Sequence, residues 1–132
     1  MGQNTYFKND IRTARGETLV QRLLEKAIRQ ARAAAEIGAQ DVAGRSAKLR
    51  SVFDIVTELQ RSLDHERGGE IAANLNALYD FVSSRIALAC TASGDEFIGE
   101  ALRVLEILHE AWVEMSVAAP ESADVGVVRG AA

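Results

Sequence analysis

Apolar residues recur at spacings of three and four along most of this chain, the signature of helices that bury one face. Val20, Leu24, Ala27, Ala31 and Ala34 form one such stripe, widened by Leu19, Leu23 and Ile28, and predict a helix over Glu17–Ile37. Gly38 follows as a residue able to close the helix in the left-handed conformation. Asp41 is placed to cap a second helix over Val42–His65, with its stripe on Leu49, Val52, Val56, Leu59 and Leu63 and with Phe53 and Ile55 alongside. Arg67-Gly68-Gly69 interrupts the pattern. A third helix is predicted over Glu70–Ser93, facing the core with Ile71, Leu75, Leu78, Val82, Ile86 and Ala89. Gly94 and Asp95 supply a stop and a cap, and Ile98, Ala101, Leu105, Leu108, Trp112 and Met115 mark a fourth helix over Glu96–Ser116.

Helices of this length span about 30–37 Å, and short connections force neighbours to run antiparallel. The expectation is all-α: an up-down four-helix bundle over residues 17–117, an N-terminal arm over 1–16 packed on it, and a C-terminal tail over 118–132 that lacks periodicity. The arm carries Tyr6, Phe7 and Ile11, residues that unstructured termini usually lack. It reads equally as a fixed cap on the bundle end and as a detachable cover over an apolar groove.

Composition agrees with helices and narrows the compartment. The single proline, Pro120, leaves the first 119 residues free of a helix breaker. The single cysteine, Cys90, cannot form an internal disulfide, and the first ten residues hold no apolar run of a secretory signal. No stretch approaches the roughly 20 apolar residues that span a bilayer. A cytoplasmic protein without membrane insertion is expected. Charge is divided unevenly: residues 1–50 carry ten Lys/Arg and five Asp/Glu, and residues 51–132 carry five and fourteen. Basic and acidic helices packed side by side account for that asymmetry. Nucleic-acid binding is not expected, because the basic residues form no concentrated run and have no stacking aromatics among them.

The residues offer little for catalysis. Glu106-Ile-Leu-His109 has the Glu-x-x-His spacing of ferritin-like di-metal bundles, but such sites need a second copy, and His65 is preceded at that position by Ser62. A solvated helix face is the expectation there, with no metal and no cofactor. Cys90 lacks a motif-level activating partner, and Gly68-Gly69 lacks the Lys and Ser/Thr of a phosphate loop. The chain does not read as an enzyme.

The run from Ser62 to Phe81, Ser-Leu-Asp-His-Glu-Arg-Gly-Gly-Glu-Ile-Ala-Ala-Asn-Leu-Asn-Ala-Leu-Tyr-Asp-Phe, resembles the flagellin export chaperone family (FliS-type). The family pattern S-L-D-x-E-x-G-G-E-I-A-x-N-L-x-x-L-Y-x-[YF] is matched without a gap. Tyr6, Ile11, Thr13, Ala14, Glu17 and Leu19 fit its opening, Ala27-Ile28-Arg29 its first helix, and Leu105, Leu108, Ala111 and Trp112 its close. Two stretches depart: Arg15-Gly16 stands where the family has Ser-Pro, and Gln21–Lys26 where it commonly has L-M-L-Y-D-G.

The resemblance implies a cytoplasmic chaperone that holds the C-terminal segment of flagellin, prevents premature polymerisation and delivers it to the export apparatus, with an export-gate component as a further partner. It implies Tyr6 and Ile11 as a plug that competes with the client, and Leu19, Leu23, Leu78, Tyr79 and Val82 as the groove wall. A monomer or weak dimer is expected. The readings kept beside it are a scaffold bundle that dimerises permanently, a paralogous chaperone for another flagellar client, and a ferritin-type metalloenzyme.

Overall fold

The structure is a computed structural model; it describes the backbone of residues 2–91 and 94–118 and the side chains of residues 19–91 and 94–114. It contains α1 (Gly2–Ile37), α2 (Val42–Arg61), α3 (His65–Thr91) and α4 (Asp95–Ala118). Each helix packs on its two neighbours in a closed ring, α1 against α2 and α4, and α3 against α2 and α4. The diagonal pairs are held apart by the shared core, in which Leu24, Leu49, Val52, Leu59, Ile86 and Leu105 are fully buried. The all-α bundle expected from the apolar spacing is the observed architecture.

The turns follow the local chemistry. Gly38 closes α1 with φ 63°. The Asp41 carboxylate accepts a hydrogen bond from the Gly44 N–H at 3.0 Å and caps α2. Arg45 then ties three helices at one end. Its Nη1 donates to the Ala89 carbonyl at 3.0 Å, satisfying an acceptor in the last turn of α3, and its Nη2 lies 3.8 Å from the Asp95 carboxylate at the start of α4. Arg32 pairs with Glu106 at 2.6 Å across α1 and α4. Both ion pairs join the basic first half of the chain to its acidic second half.

Three boundaries differ from the sequence expectation. Helix α1 continues back to Gly2 rather than starting at Glu17, so the backbone of the arm is helical and continuous with the bundle. The packing of Tyr6 and Ile11, and the whole tail beyond Ala118, lie outside the described residues. Helix α2 ends at Arg61 because the chain turns at Ser62–Asp64, where the Asp64 carboxylate accepts from the Arg67 N–H at 3.0 Å and starts α3 early. Inside α3, Gly69 (φ 50°, ψ −122°) breaks the helical path. Of the adjacent glycines, Gly69 therefore makes the bend, four residues into the element.

That backbone geometry gives opposite signs to two glycine substitutions. A Cβ on Gly69 would meet no atom within 4 Å, so Gly69→Ala suffers only from its φ, at a cost of about 1–2 kcal/mol. Gly99 lies mid-helix in α4 with equally open space, and Gly99→Ala is expected to stabilise by about 0.5–1 kcal/mol. Urea unfolding of the two variants should bracket the parent chain; a stabilised Gly69→Ala would show that the bend is absent in solution.

The buried stripe of α3 keeps the expected Val82, Ile86 and Ala89, with Leu75 partly buried, and departs from the expectation at two positions. Ala72, Tyr79, Val82, Ile86 and Ala89 are buried, whereas Ile71 is 60% exposed and Leu78 is 39% exposed. Ile71 and Ala72, like Leu78 and Tyr79, are sequence neighbours, so both registers satisfy a helical spacing. In the interior the Tyr79 hydroxyl has the Trp112 side chain of α4 as a polar neighbour.

Candidate functional site

That departure leaves large apolar side chains of α3 on the outside. Ile71, Leu78 and Arg85 follow one another at intervals of seven residues, which brings them to nearly the same side of the helix, and Phe81 lies on the same flank. Arg85 fixes which way that flank faces. Its Nη1 lies 3.3 Å from the Glu100 carboxylate on α4, and its guanidinium stands 5.0 Å from the centre of the Phe81 ring and 5.8 Å from that of Phe97. On α4, Ile107 follows Glu100 by seven residues and is 58% exposed. The outcome is an apolar seam along α3 and α4, bounded at one end by the Arg85–Glu100 bridge.

The described residues also line clefts elsewhere on the bundle. Between α2 and α3 a cleft of about 490 Å³ is lined by Leu49, Phe53, Ile86 and Cys90 among others, with Phe53 half-exposed at its rim. Between α1 and α4 a polar cleft of about 430 Å³ is lined by Glu25, Ile28, Arg29, Arg32, Glu106 and His109. There His109 Nε2 sits 3.0 Å from the Glu25 carboxylate, so His109 is a partnered groove residue rather than one on a solvated face. Glu106, the other half of the Glu-x-x-His spacing, is engaged by Arg32. Among the described residues no group of three His, Cys, Asp or Glu side chains is arranged to hold a metal ion.

The hydrogen bond from His109, aided by its charge, holds the Glu25 carboxyl below its ordinary value of 4.5 despite partial burial. Folding therefore favours ionised Glu25, and this contribution is full above about pH 4.5 and lost as pH falls through the lower folded value. The Glu25 side chain is 42% exposed, so screening limits the effect to about a few tenths of a kcal/mol. Glu25→Gln should flatten the acid limb of the stability curve between pH 3 and 5 by that amount, as read from urea midpoints at closely spaced pH; an unchanged limb would remove the pair from the acid response.

The residues expected to form a groove wall divide sharply. Leu78 is on the seam. Leu23 is half-buried on α1, the helix diagonal to α3, and packs against the core from that side. Leu19, Tyr79 and Val82 are buried in the bundle, Tyr79 to 1% exposure, so a partner docking on the closed bundle reaches Leu78 and Leu23 without touching these three. Tyr6 and Ile11 lie outside the described side chains. Phe81 and Ile107 were missed as surface residues. Ile107 did carry a signal, an isoleucine off the Leu105–Leu108 stripe, which a core-only reading of α4 leaves unused.

No helix among the described residues is long and apolar enough to cross a membrane. Residues 2–119 match the family described as flagellar protein FliS. The chain is 31% identical to the flagellar secretion chaperone FliS of Campylobacter jejuni over 116 residues, which cover 87% of this chain and 91% of that one. It is 32% identical to the protein of the same name from Vibrio cholerae over 97 residues, 71% of this chain and 70% of the other. With the flagellar secretion chaperone FliSB of Pseudomonas aeruginosa it shares 25% identity over 111 residues, 83% of this chain and 88% of that one. The family match runs through all four helices of the bundle, and the chain belongs to the flagellar protein FliS family.

Proposed function

We propose that this flagellar export chaperone binds the C-terminal segment of flagellin in the cytoplasm, laying the client's apolar helix face along the seam of α3 and α4. The observation that carries the reading is the exposed line of Ile71, Leu78 and Phe81 on α3, with Ile107 exposed on α4. A helix presents apolar residues at i, i+3, i+4 and i+7, and two parallel ridges such as these form the matching groove. Because the client orders as it binds, part of the interaction free energy is spent on its conformational entropy. Affinity stays moderate while the contact is long, which suits a chaperone that must release its client at the export apparatus. The arm residues Tyr6 and Ile11 would compete for the same apolar surface. A client that also contacts Leu23 must pass round the bundle, because α1 and α3 are diagonal.

Calorimetric titration with a peptide spanning the C-terminal segment of the organism's own flagellin tests this. Saturable 1:1 binding with a clearly negative heat-capacity change is the expected result. No heat at tens of micromolar peptide would make flagellin the wrong client. Light scattering on the free chain should show a monomer or a weak, concentration-dependent dimer.

A further inference from the structure

The seam of α3 and α4 has two unlike edges, and the difference restricts what can lie on it. We propose that it takes an amphipathic helix carrying Lys or Arg along one flank of its apolar face, matched to a line of carboxylates on α4. This selection rests on the seam as the client site, whatever protein the client belongs to.

The α4 edge is charged. That helix holds six Asp/Glu and one Lys/Arg, Arg103. Glu96, Glu100, Ile107 and Glu114 follow one another at intervals of four, seven and seven residues, which sets them on nearly one side of the helix. The contacts of Arg85 with Glu100 and with the Phe97 ring turn that side towards α3. Glu96 and Glu114 are exposed, and no ion pair among the described residues engages either. The other acids of α4 are directed elsewhere: Asp95 lies beside Arg45, Glu106 is bridged to Arg32, and Glu110 lines the cleft shared with α1. Arg103, four residues before Ile107 and three before Glu106, falls on the α1 side of the line.

The α3 edge is apolar. Ile71, Leu78 and Phe81 are exposed on it, and Arg85, which follows Leu78 by seven residues, is already taken by Glu100. A helix laid along the seam meets these apolar side chains with its stripe and the carboxylates with one flank only. Basic residues on that flank pair across the contact, as the flanking positions of coiled coils do, while acidic ones meet like charge. Exposed pairs of this kind are individually weak, so the apolar contact supplies the affinity and the carboxylates supply the choice of client. Because only one flank is read, the basic residues also fix the direction in which the client runs.

The test titrates the full chain with two peptides of matched helicity that share one leucine stripe and differ on a single flank, lysine in one and glutamate in the other. The lysine peptide is expected to bind about tenfold tighter at low ionic strength. The advantage should largely vanish in about 1 M salt and in the Glu96→Gln/Glu114→Gln variant. Equal binding of the two peptides overturns the proposal, and so does a preference that survives the double variant. Binding indifferent to Leu78→Asp overturns it as well, because both peptides then lie off the seam. So does binding of neither peptide, which leaves the seam to a second copy if light scattering shows a stable dimer. The flagellin peptide, titrated alongside, is judged separately. If it fails while the lysine peptide behaves as expected, flagellin is the wrong client and the selectivity of the seam stands. If it binds through Leu78 while the two model peptides bind alike, the flagellin reading stands and the charge selection falls.

Discussion

Leu78→Asp is expected to weaken binding of the flagellin C-terminal segment by about a hundredfold. Leu78 sits mid-seam, between Ile71 and Arg85 on the same line of α3, and 39% of its surface is open to solvent. A client helix covering it removes apolar area worth about 1–2 kcal/mol, which aspartate forfeits. The carboxylate must also be desolvated beneath an apolar face, adding a cost of about 1–3 kcal/mol. Their sum, about 3 kcal/mol, corresponds to two orders of magnitude in Kd. The bundle itself should lose no more than about 1 kcal/mol, because the site is on the surface of the free chain. Calorimetry for binding and circular dichroism for the thermal midpoint separate the two effects. A Leu78→Asp chain that binds the peptide like its parent would move the client to the α2–α3 cleft, where Phe53→Asp becomes the decisive substitution.

The fold was open to reading because its determinants are local. Gly38 and Asp41 state where α1 ends and α2 begins, and the apolar spacing of α1, α2 and α4 admits one burial register. Helix α3 admits two, since Ile71 and Leu78 each precede a residue, Ala72 and Tyr79, that is equally compatible with a buried stripe. Choosing the larger aliphatic side chains misplaces Ile71 and Leu78 while still burying Val82, Ile86 and Ala89. The neighbour that Tyr79 meets inside, the Trp112 side chain, is more than thirty residues away along the chain and visible only once α3 and α4 are packed.

The site was legible to the same degree and for the same reason. Val82 and Leu78 were expected both in the core stripe and in the groove wall; Val82 is buried together with Tyr79, and Leu78 is on the surface together with Ile71. The resemblance around Gly68-Gly69 identified the family without locating this surface, because one motif spans both the fold-defining turn and the exposed Leu78 and Phe81. Gly69 shows the difference: its φ of 50° explains why that position is glycine, and no client contact is needed to account for it.

Tyr79→Ala is expected to cost about 3–5 kcal/mol, a large share of the 5–15 kcal/mol that holds a domain of this kind folded. The side chain is 1% exposed and is the largest of the fully buried ones, so its removal leaves a cavity that the surrounding helices fill only in part. It also strips the Trp112 indole N–H of its acceptor. Tyr79→Phe separates these effects: it keeps the ring and loses the hydrogen bond, for about 1–2 kcal/mol. The two variants should also differ from the parent in alkali. Burial pushes the Tyr79 phenol well above its ordinary value of 10.0, with the Trp112 hydrogen bond offsetting only part of the rise. Folding therefore favours the neutral phenol. The sign follows: the contribution is complete below pH 10 and declines above it, as the unfolded chain ionises while the folded one does not. Urea unfolding followed by the fluorescence of Trp112, the single tryptophan, reads both effects. Tyr79→Phe should flatten the decline between pH 9 and 11; an identical alkaline limb in parent and variant would show that the phenol is solvated in the folded chain and that α3 lies in the other register.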